Sequence, residues 1–171
     1  LMSAMLALMD QQRLHSAEWS GELRLQYADN QHKVQWPGGD EEGVSFADTI
    51  ENALEKNPAA IVIDEVRADE ASAIAPLLAM DSAPRQMWVV RGASDPKRIR
   101  SAVGMLARRA DAGQSEALVH ALYKRLPFMI IVTRRPGRLE LVEIAEWQYR
   151  ADAEYPDYMP LMVKGWDGLE R

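Results

Sequence analysis

The apolar positions of this chain change period several times, and each change marks an element. Residues 1–12 are apolar nearly all round through Leu1-Met2-Ser3-Ala4-Met5-Leu6-Ala7-Leu8-Met9, which predicts a helix buried beside a sheet. Alternation follows. Glu22-Leu23-Arg24-Leu25-Gln26-Tyr27 and His32-Lys33-Val34-Gln35-Trp36 set apolar residues against polar ones, the pattern of half-buried strands, with Asp29-Asn30-Gln31 turning between them. Ser45, with Asp48 in the capping-box position, predicts a helix running to about Lys56. Pro58 ends it, and the continuous apolar run Ala60-Ile61-Val62-Ile63 fits a strand buried on both faces of a parallel sheet.

The helical period returns over residues 69–80, where Ala71, Ile74, Leu77 and Leu78 share a face, and Gln86-Met87-Trp88-Val89-Val90 reads as a strand. Asp95-Pro96 supplies an N-cap followed by proline at the first helical position, with Ile99, Val103, Leu106 and Ala110 at helical spacing behind it. A further helix is predicted over 114–125, before Pro127. Phe128 to Thr133 and Leu139 to Trp147 then form two strands joined by Arg134-Arg135-Pro136-Gly137-Arg138. From Arg150 onward the chain is aromatic and punctuated by proline, with no period. Alternating strands and helices without an internal repeat predict an α/β fold whose sheet is largely parallel or mixed and flanked by helices.

A length of 171 residues corresponds to about one domain. With 47% hydrophobic and 27% charged residues the chain is an ordinary globular one, so its function lies in particular residues and not in bulk composition. The net charge of −6 argues against a general nucleic-acid or anionic-membrane surface. A local basic run remains in the helix carrying Lys97, Arg98, Arg100, Arg108 and Arg109, for which a solvated face is the commoner explanation. The absence of cysteine removes disulfides and thiolate chemistry and is consistent with a reducing cytoplasm. The longest apolar run falls short of the roughly 20 residues a bilayer crossing takes, and no basic stretch precedes it. Because the sequence opens on Leu1 inside an apolar element with no capping residue, a cut is expected there and not a natural start.

The sharpest local chemistry is Ala59-Ala60-Ile61-Val62-Ile63-Asp64-Glu65, an apolar strand ending in two carboxylates. Nucleotide hydrolases place such a pair at a strand end, the first carboxylate holding Mg²⁺ and the second orienting or deprotonating the attacking water. A buried strand that simply ends in solvated acids is the competing reading. Gly38-Gly39-Asp40-Glu41-Glu42 has the composition of a cyclase signature, but Gly43 stands where an aromatic belongs, so it reads as an acidic loop. His15, His32 and His120 have no zinc-ligand spacing, and no G-x-S-x-G elbow occurs.

Read together, several stretches resemble the ATPase family that powers type II and type IV secretion and pilus assembly, including tight-adherence pili. Leu1 to Asp10 resembles the helix that follows the family's phosphate-binding loop. Arg13-Leu14-His15-Ser16-Ala17-Glu18-Trp19-Ser20-Gly21-Glu22-Leu23-Arg24-Leu25 is similar in order and spacing to its R-I-V-T-I-E-D-T-A-E-L-Q-L stretch, with Trp19 where the family has Asp. Asn57-Pro58 and Ile61-Val62-Ile63-Asp64-Glu65-Val66-Arg67-Ala68-Asp69-Glu70-Ala71 resemble its R-P-D corner and I-V-G-E-V-R-G-x-E-A signature, with Asp64 in place of Gly. The family's T-G-H-x-G and H-A-N-S-P boxes correspond to Ser82-Ala83-Pro84-Arg85-Gln86 and Gly92-Ala93-Ser94-Asp95-Pro96, both without their histidine. Leu126-Pro127, the two strands after it and Leu141-Val142-Glu143-Ile144-Ala145-Glu146 resemble its closing hairpin.

The resemblance implies a P-loop, RecA-like ATPase core over residues 1–149, incomplete at its N-terminus, with a C-terminal extension over 150–171. It implies Glu65 and Glu18 as catalytic residues, with Glu22 beside Glu18 in the acidic box, Asp64 as the Mg²⁺ ligand, and Arg67 and Arg91 near bound ATP. It further implies a homo-oligomer, in the family a hexamer, or ATPase-like partner subunits. Partners would be membrane-associated secretion or pilus proteins and not nucleic acid, and the location cytoplasmic or peripheral on the inner face of a membrane. ATP and Mg²⁺ binding require the glycine-rich loop G-x-x-x-x-G-K-[ST], which cradles the phosphates and does not occur in these residues. Arg67, Arg91, Arg98, Arg100, Arg134 and Arg135 are the candidates for an arginine finger offered to a neighbouring subunit. The alternative is a degenerate relative that keeps the fold, lacks nucleotide chemistry and serves as an assembly or interaction module. Trp147, Tyr149, Tyr155, Tyr158 and Trp166 would pack the tail on the core or on a neighbour.

Overall fold

Two sheets carry the chain. The computed structural model describes residues 2–38, 42–80, 82–92, 95–165 and 168–170. Most of the expected acidic loop, part of the Gly92–Pro96 box, and Trp166 lie outside them. The first sheet contains β1 (Leu14–Glu18), β2 (Gln31–Lys33), β3 (Ala60–Ile63) and β4 (Arg85–Trp88), in the order β2-β1-β3-β4 with every pairing parallel. The second is antiparallel and runs β5 (Phe128–Arg135), β6 (Arg138–Gln148), β7 (Asp157–Gly165), β8 (Gly168–Glu170).

The parallel sheet is covered on both faces, as parallel sheets must be. Alternate residues feed two cores. Ala17, Ile61 and Ile63 pack with Phe46, Ile50 and Ala53 of α2 (Phe46–Glu55) and with Ile74 and Leu77 of α3 (Ala71–Ala79). Leu14, Ala60 and Val62 face the other way, onto Leu6 of α1 (Met2–Leu6) and Leu23. A third cluster joins Leu78 to Ala107 of α4 (Pro96–Ala110) and to Leu118 and Leu122 of α5 (Ser115–Arg125). Each fully buried Leu, Ile or Phe contributes about 1.5–3 kcal/mol relative to exposure, so Phe46, Ile50, Ile61, Ile63 and Leu77, all below 2% exposed, anchor α2 and α3 to the sheet.

The predicted caps form. Asp48 N–H donates to Ser45 Oγ at 3.2 Å and Ser45 N–H to the Asp48 carboxylate at 2.9 Å, and Arg98 N–H donates to Asp95 at 3.0 Å at the start of α4. Other expectations are corrected. The first helix stops at Leu6 instead of running to residue 12: the Gln11 side chain takes the Leu6 carbonyl at 3.2 Å, and Leu8 is left 90% exposed. Residues 22–27 do not form a strand. Their backbone is held by side chains instead, Leu23 N–H by Glu18 and Gln26 N–H by Gln11. The strand there is β1, five buried residues earlier in the chain. The predicted strand 32–36 shrinks to β2, followed by an isolated bridge between Gln35 and Val44. The tail after Arg150, aperiodic in sequence, contributes β7, which pairs along β6.

Candidate active site at the ends of the parallel strands

The chain leaves β1 for β2 on one side, and from β3 steps to β4 on the other. In an open parallel sheet such a reversal opens a crevice at the carboxyl ends of the two strands between which it occurs, here β1 and β3. Glu18 is the last residue of β1, and Asp64 and Glu65 directly follow β3. Topology therefore brings together the three carboxylates singled out in the sequence.

Their environments differ. Glu18 is fully buried, and its carboxylate accepts from the Ser16 hydroxyl at 2.5 Å, Leu23 N–H at 2.9 Å and the Gln31 amide at 3.4 Å. It ties the chain from 19 to 23 back onto β1 and β2. Asp64 is fixed through its backbone, N–H donating to Ala17 carbonyl at 2.9 Å, while burial, and then the negative charge of Glu18, Glu22 and Glu65, push its carboxyl above the usual range against the opposing pull of Arg91.

Glu65 takes a left-handed backbone conformation, φ 56, at a cost of about 1–2 kcal/mol for a residue with a Cβ. The twist turns its side chain toward two cations. Arg91 lies 3.0 Å from one carboxylate oxygen and Arg67 3.7 Å from the other. Trp19 forms the wall behind them: its indole N–H donates to the Glu65 carbonyl at 3.1 Å, its ring stacks on Phe46 at 4.8 Å, and the Arg67 guanidinium lies 4.0 Å over it. Strained backbone of this kind collects at functional sites because surrounding contacts over-determine it.

Glu65, Arg67 and Arg91 thus form one contact network, with Asp64 beside it and Glu18 beneath in a holding role. Of the other candidate arginines, Arg100 lies 5.4 Å over the Trp147 ring and donates to the Pro156 carbonyl at 2.7 Å, and Arg134 and Arg135 sit at the end of β5. Trp147 in turn packs edge-on to Tyr123 and Tyr158, so this part of the aromatic set ties β6 and β7 to α5. Among the described residues no group of three or more His, Asp or Glu converges as a metal cluster.

Two features escaped the sequence reading. In sequence Trp19 is only a departure from the family's Asp, and the fold shows it walling Glu65. His15 and His32, without ligand spacing in sequence, meet across β1 and β2 with Nδ1 and Nε2 3.1 Å apart and rings stacked at 5.4 Å. Pairing of parallel strands at long separation leaves no local signal.

No family model and no curated protein matches the sequence. Fourteen solved chains match by structure. One is the VirB11 ATPase from the Brucella suis type IV secretion system, solved in complex with sulphate, at a TM-score of 0.63 and 18% identity over 85% of this chain. The chain spans 44% of that protein's length. At this identity the likeness is one of fold: a mixed α/β domain with a helix-flanked parallel sheet, similar to a secretion ATPase domain. No helix among the described residues is long and apolar enough to cross a membrane.

Proposed function

We propose that this chain is part of the RecA-like core of an ATPase driving protein secretion or pilus assembly, with Glu65 as the residue that activates water. The observation that carries the reading is Glu65 itself: a strained glutamate at the switch point of a parallel sheet, held between Arg91 and Arg67 and adjoining a second carboxylate. A nucleotide hydrolase needs a base or water-orienting group there and cations for charge developing on the transferred phosphoryl group.

Among the described residues no three carboxylates converge on one point, so Asp64 is proposed as a single protein ligand for Mg²⁺. Burial, and then the negative charge of Glu18, Glu22 and Glu65, raise the pKa of Asp64, and its carboxylate oxygens are of the hard donor type that Mg²⁺ takes. Asp64 would hold the ion, which when bound supplies charge neutralisation at the phosphates. Glu65 would accept the proton of an attacking water or orient it, Arg67 and Arg91 would hold Glu65 and face the phosphates, and Glu18 would keep the β1 end in place. The ATP and its grip come from elsewhere: the reading requires a G-x-x-x-x-G-K-[ST] loop beyond these residues. The outer edge of β4 bears no further strand among those described, and a strand carrying that loop has room to pair there. Assembly as a hexamer, or with ATPase-like subunits at a membrane-bound apparatus, belongs to the same proposal.

One observation favours a second reading, a non-catalytic ATPase-like assembly subunit. The Glu18 carboxylate is taken up by internal hydrogen bonds and is fully buried, so of the acidic box Glu18 serves the fold, Trp19 replaces an acid, and Glu22 alone remains for chemistry. The discriminating experiment is Mg-ATP binding by the full-length protein, together with the residues encoded ahead of Leu1. Saturable binding and a phosphate loop support the motor. No binding, or no loop, supports the assembly subunit.

A further inference from the structure

Trp19 and Glu65 meet because two parallel strands end level. The β1–β3 register closes with Ala17 opposite Ile63, and two residues further along each chain it sets Trp19 beside Glu65. There the peptide joining Glu65 to Val66 is clamped at both ends. Its N–H donates to the Val89 carbonyl, just past β4, at 2.8 Å, and its C=O accepts from the Trp19 indole at 3.1 Å. The two groups of a trans peptide point in opposite directions, so the clamps pull from opposite sides of the crevice. The Val89 clamp is backbone to backbone and forms whatever the side chains are. The other exists only because residue 19 carries an N–H donor. Orientation of this peptide fixes ψ of Glu65, the residue held at φ 56.

Trp19 is itself firmly seated. Its ring stacks on Phe46, which is buried in the core between sheet and helices, and the Arg67 guanidinium lies 4.0 Å over it. Arg67 stands 3.7 Å from the Glu65 carboxylate, beyond hydrogen-bond reach. The ring and not the carboxylate therefore carries this cation by its face, and the planar donors along the guanidinium edge stay open. An ionised Asp, the residue the resemblance expects at position 19, has acceptors alone. It could neither donate to the Glu65 carbonyl nor offer a face to Arg67. The exchange of an acid for an indole thus brings a support of another kind to the same place.

We propose that Trp19 is a positioning residue for the reaction assigned to Glu65, an inference that rests on the ATPase reading of this site. Its indole N–H holds the Glu65–Val66 peptide and so sets where the Glu65 carboxylate points, while its ring keeps Arg67 alongside. Trp19 touches no reacting atom and reaches the attacking water only through these two residues. Misplacing a reacting group by about 1 Å costs on the order of 10²-fold. A group that contributes only to the transition state appears in kcat and leaves KM in place.

The test is steady-state Mg-ATP hydrolysis by the full-length protein and by its Trp19→Phe, Glu65→Gln and doubly substituted variants. Phenylalanine keeps a ring under Arg67 but has no N–H, so its effect passes through Glu65. Trp19→Phe should lower kcat about 10²-fold and move KM by less than about twofold. In the Glu65→Gln background it should lower kcat no further, because nothing is left for it to position. Trp19→Asp should fall at least as far as Trp19→Phe. Benzothienylalanine at position 19 keeps both fused rings and puts sulfur in place of the N–H. It should reproduce the Trp19→Phe loss, and it decides the matter if phenylalanine lowers the melting temperature. Parent-like kcat in the benzothienylalanine variant, or losses from Trp19→Phe and Glu65→Gln that multiply, overturn the proposal and leave the reading of Glu65 standing. A parent that does not hydrolyse Mg-ATP overturns both.

Discussion

The Arg91 guanidinium reaches 3.0 Å from the Glu65 carboxylate although the Arg91 side chain is 83% exposed and that of Glu65 only 21%. A pair this open to water contributes little stability, about 0–1 kcal/mol, less than the left-handed backbone of Glu65 costs. The arrangement is therefore expensive locally and has to be supported from Trp19 and the sheet.

A backbone test follows. Glu65→Ala and Glu65→Gly both remove the ion pairs, but only glycine relieves φ 56. Urea unfolding should find the glycine variant more stable than the alanine variant by about 1 kcal/mol. The reverse order would mean that Glu65 is not left-handed in solution.

For Glu18 the expected result is structural damage. Glu18→Ala strands Leu23 N–H and the Ser16 hydroxyl in the interior, at a cost of about 3 kcal/mol. Glu18→Gln, which still offers one acceptor oxygen, should cost about 1–2 kcal/mol. Chemical denaturation of both variants measures this, and a neutral alanine substitution would remove Glu18 from its holding role.

Asp64 should behave in the opposite sense. Its folded pKa is raised, chiefly by burial and then by its acidic neighbours, so the folded state favours the protonated form. The associated stability is present below the unfolded pKa and is lost as pH rises through the folded value. Asp64→Asn should therefore raise the melting temperature at pH 7 and leave it nearly unchanged near pH 3. A variant that melts lower at pH 7 would contradict the electrostatic picture.

Between β1 and β2, burial first and then Lys56 lower the pKa of His15, while burial, His15 and Lys56 lower that of His32. Because the unfolded chain binds protons more readily than these folded rings, stability is full above about pH 6.5 and declines as pH falls below it toward the depressed values. His32→Asn should flatten that decline between pH 7 and 5. An unchanged slope would place the titration elsewhere.

The parts of the fold that were legible in sequence are those stabilised locally. The Ser45–Asp48 box, the Asp95-Pro96 start and the β-branched run of β3 state their structure within a few residues. β1 was not legible because Leu14-His15-Ser16-Ala17-Glu18 buries polar groups whose partners, such as His32 and Gln31, lie far along the chain. β7 hides behind Pro156 and Pro160, tolerated because β7 follows one and bulges beside the other. In the site, Asp64 and Glu65 could be read from an acidic strand end. The twist of Glu65 and the wall made by Trp19 depend on three-dimensional packing alone.

The most direct test of the proposed function is steady-state ATP hydrolysis by the full-length protein and its Glu65→Gln variant, with nucleotide affinity measured alongside. Loss of a general base typically costs about 10²–10⁴-fold, so the variant should lose that much kcat while binding Mg-ATP as tightly as the parent. Equal kcat in the two proteins would contradict the role assigned to Glu65.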